Sequence, residues 1–184
     1  MNALLGLNEL PPVLDATCGT RMMWFNKSDP RCLYVDERSE AFRPTGRKFA
    51  DKDVHVAPDI MVSFTNLPFP NDSFSLVVFD PPHIVRQSLS GNVTKYYGAL
   101  PPDWQELLRA GFSECFRVLR AGGVLIFKWC ETEIPLRDVL SLTVEKPLFG
   151  HLSGKAARTH WCTFLKPNAG HKPQARPETN ADET

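Results

Sequence analysis

The chain has 184 residues, of which 42% are hydrophobic and 23% charged, and its 21 basic side chains balance its 21 acidic ones. This length corresponds to one domain that can bury a core of its own. A formal net charge of zero excludes a protein that coats nucleic acid with a globally basic surface, so a nucleic-acid partner would have to meet a local basic patch.

Short apolar runs alternate with helical patterns along the chain. Strands are predicted, in chain order, over residues 13–15, 32–36, 54–61, 75–80, 124–129, 147–151 and 159–165. Helical spacing of apolar residues predicts a long helix over 103–119, stopped by Gly122 and Gly123, and a short helix over 134–142. Strands that alternate with helices indicate an α/β fold with a mostly parallel sheet and helices on both faces.

The last residues, 167–184, combine Pro, Asn, Gly, Gln, Glu and Thr without any large apolar side chain. Such a segment cannot bury enough surface to offset the entropy lost on ordering. A disordered tail is therefore predicted after a single domain over residues 1–166.

The cysteines are scattered, without a Cys-x-x-Cys pair: Cys18, Cys32, Cys115, Cys130 and Cys162. An odd count with this spacing predicts reduced thiols rather than a disulfide framework, and no zinc or other metal site. The first residues have no basic segment ahead of an apolar run, so neither a signal peptide nor a membrane span is predicted. We expect a cytoplasmic protein that does not bind membranes.

Two acids, Asp15 and Asp36, come directly at the ends of predicted strands. Open α/β sheets bind ligands beyond the carboxyl ends of their strands. The spacing predicts a first strand, a crossover helix and a second strand, with Asp36 placed to accept hydrogen bonds from ribose hydroxyls. Either acid, taken alone, would more often cap a turn. With Gly19 as the single glycine of the turn, a pyrophosphate cradle is disfavoured and a nucleoside ligand remains.

The string Asp15-Ala16-Thr17-Cys18-Gly19-Thr20-Arg21 resembles the first motif of class I methyltransferases, matching its acid, Cys and first Gly and departing at Arg21, where a final Gly is common. Residues 67–75 and 116–125 resemble two further segments of that superfamily. The resemblance implies a Rossmann-like sheet with an antiparallel last strand, and S-adenosylmethionine as cofactor. The implied cofactor contacts are Asp15, Ala16, Thr17, Cys18, Gly19 and Asp36.

A further cofactor contact is expected after the third strand. In the same family an acid there often meets the adenine amino group, and Ser63 stands at the aligned position, with Asp59 as an alternative. Phe64 is either a wall against the adenine or an ordinary core side chain.

The string Phe79-Asp80-Pro81-Pro82-His83 follows the strongest predicted strand. Two prolines fix the backbone and remove two amide donors, so the loop presents acceptors. An aspartate beside a carbonyl suits an amino group, which offers two N–H donors. A Pro-Pro turn capped by Asp80 is the alternative interpretation.

This string resembles the Asp/Asn/Ser-Pro-Pro-aromatic motif of amino-methyltransferases that act on adenine N6, cytosine N4 or related nitrogens. Asp80, Pro81 and Pro82 match, and His83 takes the aromatic place. The resemblance implies that Asp80 and the Pro81 carbonyl hold the amino group while His83 stacks on the base or hydrogen-bonds to it. The first expected acceptor is N6 of adenine in DNA. The alternatives are an RNA base, a protein glutamine amide, or a catalytically inactive methyltransferase fold that serves as a binding module.

Substrate contacts are expected from loops, because the chain has no separate recognition domain. The basic stretch 43–52 is either a phosphate contact or a solvated loop. The better-placed candidates follow the catalytic motif and are Arg86, Lys95, Tyr96 and Tyr97. The target base would be unpaired or flipped, and a homodimer would enlarge the grip on nucleic acid.

Overall fold

The computed structural model describes residues 9–44, 53–85, 92–153, 156 and 158–168. The strands are β1 (Val13–Asp15), β2 (Cys32–Asp36), β3 (Glu40–Phe42), β4 (Val54–Val56), β5 (Ile60–Met61), β6 (Phe74–Phe79), β7 (Leu119–Cys130), β8 (Phe149–Ser153) and β9 (Thr159–Leu165). The helices are α1 (Asn92–Tyr97), α2 (Trp104–Val118) and α3 (Leu136–Leu140). Of the tail predicted for residues 167–184, only the first two residues are described, and the rest lies outside the described residues.

Seven of these strands form one sheet in the order β5-β2-β1-β6-β7-β9-β8. From β5 to β7 all neighbours are parallel, whereas β9 runs antiparallel to β7 and β8 antiparallel to β9. The order reverses between β1 and β6, so the switch point at which α/β sheets bind ligands lies between these two strands. The predicted α/β class, with a mostly parallel sheet and an antiparallel last strand, is confirmed.

Several strand predictions hold to the residue, namely 13–15, 32–36 and 159–165. The predicted strand 54–61 is two strands: β4 pairs with β3 in a separate antiparallel hairpin, and β5 joins the main sheet beside β2. The prediction that Gly122 and Gly123 end the long helix was wrong. α2 ends at Val118, because Leu119 already has extended backbone angles and pairs with Phe74 of β6.

The crossover helix expected between Asp15 and Cys32 is also wrong, since residues 16–31 form consecutive turns. Gly19 has a φ of +49° and Arg21 a φ of +55°. A right-handed helix cannot continue through two residues in left-handed backbone conformations. The turn instead returns to the sheet, where the Cys18 N–H donates to the carbonyl of Val35 (2.9 Å).

The larger core lies on one face of the sheet, and both α2 and α3 contribute side chains to it. Its fully buried members include Phe79, Phe112, Phe127 and Trp129, whose rings pack with centroids 4.9 to 6.0 Å apart. A smaller cluster comprises Cys18, Cys32, Tyr34, Val13 and Trp24, and residues of the turn-rich segment 16–31 supply part of it. Turns thus take the place of a helix beside β1 and β2. None of the helices in the described ranges has the length and apolar character to cross a membrane.

Candidate active site

A cleft opens at the carboxyl ends of β1, β2 and β6, beside the switch point of the sheet. Its empty volume, counting space open to solvent, is about 680 Å³. The described residues that line it are 16–20, 22–23, 36–38, 80–82, Phe64, Tyr96, Tyr97 and Lys128. The structure therefore brings the two motifs read from the sequence to one cleft.

Asp15 lies behind the small-residue turn and does not line the cleft. Its Oδ1 accepts the Thr17 N–H (3.2 Å) and its Oδ2 accepts the Trp24 Nε1–H (2.7 Å). Burial raises the pKa of the Asp15 carboxyl to about 7, although both hydrogen bonds act in the opposite direction. Asp15 therefore shapes the turn from inside the protein.

The turn itself forms one wall of the cleft. Ala16 is anchored by its N–H to the Val78 carbonyl (2.9 Å), and Thr17, Cys18 and Gly19 follow along the wall. A Cβ on Gly19 would lie 3.8 Å from the carbonyl oxygen of Tyr96, on the other side of the gap. The missing side chain thus keeps the space between the turn and α1 open.

Asp36 lies at the end of β2, lines the cleft and joins three parts of the site. Its Oδ2 accepts the Gly19 N–H (2.9 Å), and its Oδ1 accepts both the backbone N–H (2.9 Å) and the Nε–H (3.2 Å) of Arg38. Arg38 also donates to the carbonyl of Lys95 in α1 (3.0 Å). A carboxylate has about four lone-pair sites, so Asp36 retains capacity for a ligand hydroxyl.

Arg21, the departure from the family motif, turns its side chain away from the cleft. Its backbone adopts the left-handed conformation that a glycine would take easily. Its guanidinium donates to the carbonyls of Lys27 (2.6 Å) and Ala57 (2.7 Å) and to Asp59 Oδ1 (2.9 Å). It also lies 3.8 Å above the Tyr34 ring. Arg21 therefore fixes the turn to its surroundings and leaves the cleft clear.

Asp80 enters the cleft directly after β6, where two neighbours hold it. Its backbone N–H donates to the Thr17 hydroxyl (2.8 Å), and its Oδ2 accepts from Lys128 Nζ (2.5 Å). Burial raises the pKa of the Asp80 carboxyl, and the Lys128 ammonium opposes that effect. The acid predicted to be catalytic is thus one half of an ion pair in the cleft wall.

Lys128 is a site residue that the sequence interpretation missed. It stands in β7 between Phe127 and Trp129, which are both fully buried. Phe79 of β6 pairs with Phe127, so the next residues along these parallel strands, Asp80 and Lys128, come side by side. A lone lysine near the carboxyl end of an apolar strand was the signal available in the sequence.

The rest of the proline motif packs against α1 and β7. Pro81 and Pro82 line the cleft, and a Cβ on Gly98 would lie 2.9 Å from Pro82 Cγ, so a glycine allows the end of α1 to approach the loop. The His83 ring centroid is 5.6 Å from that of Tyr97 and 6.3 Å from that of Trp129. Burial lowers the pKa of His83 to about 4, with Lys128 adding to the effect and Glu133 opposing it.

The residues expected after the third strand differ in their placement. Phe64 lines the cleft, but it is buried and also packs on Phe79 with centroids 5.3 Å apart, as a core side chain would. Ser63 does not line the cleft, and its hydroxyl pairs with that of Thr65 (2.9 Å). The alternative acid, Asp59, holds the Tyr34 N–H (3.0 Å) as well as Arg21.

The substrate candidates are only partly brought together. Tyr96 and Tyr97 line the cleft, whereas Lys95 contributes its backbone carbonyl to Arg38. Arg86 lies outside the described residues, as does most of the basic stretch 43–52. Arg43, which precedes the undescribed part, pairs with Asp53 (2.9 Å) at the surface.

No cluster of three or more His, Cys, Asp or Glu side chains suited to a metal ion occurs within the described ranges. The described cysteines are all free thiols.

Comparison with solved structures identifies the fold. An N-methyltransferase, NodS from Bradyrhizobium japonicum, is 13% identical, with a TM-score of 0.53 over 87% of this chain and 88% of that one. The PH0226 protein of Pyrococcus horikoshii is 14% identical, with a TM-score of 0.53 over 84% and 81%. A SAM-dependent methyltransferase of Methanosarcina mazei is 14% identical, with a TM-score of 0.50 over 88% and 95%.

The chain therefore has the Rossmann-like fold that these methyltransferase structures share. No protein-family model and no curated protein sequence matches the chain.

Proposed function

We propose that this protein transfers a methyl group from S-adenosylmethionine to an exocyclic amino group of a nucleic-acid base, with adenine N6 of DNA as the first substrate. One observation carries the proposal. The same cleft is lined by two strand-end acids, Asp36 and Asp80. Asp36 stands where an acid can bind the hydroxyls of a nucleoside ribose, and Asp80 is followed by two prolines, which have no N–H groups. The first suits a ribose, and the second suits an amino group.

The residues of the cleft fit S-adenosylmethionine. Asp36 faces the cleft with lone pairs left for ribose hydroxyls, and Gly19 leaves open the space that a side chain would fill. Phe64 adds an aromatic ring to the lining, and residues 16–19 lie along the wall. When bound, this cofactor supplies a methyl group on a sulfonium, which needs little activation because its leaving group is a neutral thioether.

The acceptor end of the cleft is formed by Asp80 with Pro81 and Pro82. Oδ1 of Asp80 has no hydrogen-bond partner among the described residues, since Lys128 occupies Oδ2. Oδ1 can therefore hold an N–H of an amino group and keep the nitrogen lone pair directed to the methyl donor. Bound S-adenosylmethionine would supply the methyl group and keep the electron pair of its S–C bond, and the amino nitrogen would release a proton. The raised pKa of Asp80 favours its uptake of that proton.

Positioning supplies most of the catalysis in such a site. The Thr17 hydroxyl fixes Asp80 to the turn on which the cofactor is expected to lie. Tyr96 and Tyr97 provide flat surfaces on the facing wall for an unpaired base. The target base has to be unpaired or flipped out of a duplex to reach Asp80 in the cleft.

The test is methyl transfer from radiolabelled S-adenosylmethionine to unmethylated DNA, bulk RNA or extract protein, each supplied separately. We expect label in DNA, recovered as N6-methyladenine after digestion, and its loss in Asp80→Ala. Asp138→Ala, an exposed acid of α3, is the matched control and should retain activity. Cofactor binding by both variants, followed by calorimetry, separates a lost catalytic group from a lost fold.

Label that enters only RNA or protein would overturn DNA as the substrate and retain the chemistry. Cofactor binding without methyl transfer to DNA, RNA or protein would reject the proposed enzymatic activity. It would favour a catalytically inactive fold that serves as a binding module.

A further inference from the structure

Lys128 is placed to contact a substrate as well as Asp80. Its side chain is 21% exposed, lines the cleft and donates to Oδ2 of Asp80. An ammonium has three N–H donors, and no second hydrogen bond of Lys128 occurs within the described ranges. The centroid of the Trp161 ring lies 5.7 Å from Nζ. Two donors therefore remain at the edge of the cleft.

Asp80 and Lys128 together present an acceptor beside a donor. Asp80 lines the cleft, no hydrogen bond to its Oδ1 occurs within the described ranges, and the ammonium lies 2.5 Å from the other oxygen of the same carboxylate. The pairing of Phe79 with Phe127 fixes this arrangement through the two central strands of the sheet. The pair is thus built on rigid elements, which favours a role in recognition.

We propose that Asp80 and Lys128 read the Watson–Crick edge of the target adenine as a unit, with Asp80 holding the N6 amino group and Lys128 donating to ring nitrogen N1. This inference rests on the proposed function and assigns Lys128 as a specificity-determining residue. Adenine presents its N6 amino group, a donor, beside ring nitrogen N1, an acceptor. This order complements the acceptor of Asp80 and the donor of Lys128. The guanine amino group at position 2 lies beside the N1–H donor on that edge, which would face the ammonium.

A contact between Lys128 and N1 can be distinguished from a role of Lys128 that only neutralises the charge of Asp80. If Lys128 only balanced the charge of Asp80, its removal would slow methyl transfer to every acceptor equally. If Lys128 donates to N1, its removal matters only when N1 is present. The two roles therefore differ in their response to a change made in the substrate alone.

The experiment uses three strands of the shortest DNA that the protein methylates, with adenine, 1-deazaadenine or 7-deazaadenine at the target. For the wild type we expect kcat/KM to fall about 10- to 100-fold on 1-deazaadenine, the effect of one hydrogen bond to a charged group. The 7-deazaadenine strand should react within about threefold of adenine, since N7 lies off the edge being read.

The variant arm uses Lys128→Met, which is unbranched, one atom shorter and without donors, and Lys128→Gln, which keeps an N–H donor. On adenine, Lys128→Met should lose about 10- to 100-fold, with no more than about threefold further loss on 1-deazaadenine. Lys128→Gln should recover part of the preference for adenine. Equilibrium binding of the same strands with S-adenosylhomocysteine, followed by fluorescence anisotropy, should show the same order.

Equal rates of the wild type on adenine and 1-deazaadenine would overturn the contact with N1, even if no variant folds. So would a loss in Lys128→Met that is the same on all three strands, or a wild-type loss confined to 7-deazaadenine. A wild type that labels no adenine strand rejects DNA adenine as the substrate in the proposed function, and this outcome differs from the others because it precedes any comparison of analogues.

Discussion

The Thr17 hydroxyl accepts a hydrogen bond from the backbone N–H of Asp80 at 2.8 Å. This contact joins the turn after β1 to the loop after β6, and the two residues are 63 positions apart in sequence. The two strands are direct parallel neighbours, with Asp15 opposite Val78. The turn after β1 and the proposed catalytic acid are therefore directly linked.

Thr17→Val removes this contact while keeping the shape of the side chain. The Asp80 N–H would lose its partner, which costs about 1–3 kcal/mol and loosens the acid. We expect kcat for methyl transfer to fall about 10-fold while cofactor affinity changes less, as measured by single-turnover kinetics and calorimetry. Thr17→Ser retains the hydroxyl and serves as the control. A valine variant with wild-type kcat would show that the contact has no role in catalysis.

Much of the fold could be predicted from local pattern. β1, β2 and β9 follow directly from apolar runs, and α2 from apolar residues at helical spacing. The acid at the end of β2 and the acid after β6 were placed correctly at the cleft, because strand ends of a parallel sheet share one edge. These features depend on residues close in sequence or on the general rules of α/β topology.

The missed features depend on contacts between residues far apart in sequence. Lys128 reaches Asp80 only through the register of β6 and β7. The replacement of a helix by turns after Asp15 follows from the left-handed backbone at Arg21, whose side chain is held by Ala57 and Asp59. Apolar periodicity carries no information about either contact.

Arg21 provides a test of stability, since it combines an unfavourable backbone with several favourable contacts. An L-residue in the left-handed region costs roughly 1–2 kcal/mol relative to glycine. Arg21→Ala keeps that cost and loses the hydrogen bonds to Lys27, Ala57 and Asp59 and the contact with Tyr34. Arg21→Gly loses the same contacts and relieves the backbone.

We therefore expect the free energy of unfolding to decrease in the order wild type, Arg21→Gly, Arg21→Ala, with about 1 kcal/mol between the two variants. Urea unfolding followed by circular dichroism measures the order. A glycine variant more stable than the wild type would mean that the side-chain contacts contribute less than the backbone strain.

His83 is expected to act as a flat packing group and not as an acid or base. Burial holds its pKa at about 4, so the ring is neutral from pH 6 to pH 8. His83→Phe, which keeps a planar ring beside Tyr97 and Trp129, should retain methyl transfer within about threefold and leave the pH profile over this range unchanged.

His83→Ala should lower kcat/KM for methyl transfer about 10-fold, since it removes the ring. Rates for the wild type and both variants, measured at half-unit steps from pH 6 to pH 8, provide the comparison. Loss of activity in His83→Phe, together with a dependence on pH near neutrality that the wild type shows and this variant lacks, would contradict the packing role and indicate proton transfer by the imidazole.

Asp15 should make the stability of the protein depend on pH. Its pKa is raised to about 7 in the folded state by burial, so between its unfolded value and pH 7 the folded state binds the proton more strongly. The stabilisation is complete at low pH and is lost as pH rises through about 7. The negative charges of Asp80 and Asp36 also raise the pKa of Asp15, whereas the hydrogen bonds from Trp24 and Thr17 lower it.

The comparison is wild type against Asp15→Asn, which has the same shape and no charge to titrate. Relative to this variant, the wild type should lose about 3 kcal/mol of unfolding free energy between pH 5 and pH 8, because each pH unit below a raised pKa corresponds to about 1.4 kcal/mol. Urea unfolding at unit steps of pH measures the difference, in which groups common to both proteins cancel. Parallel curves for the two proteins would show that the Asp15 carboxyl titrates normally and that its burial is relieved by water or movement of the turn.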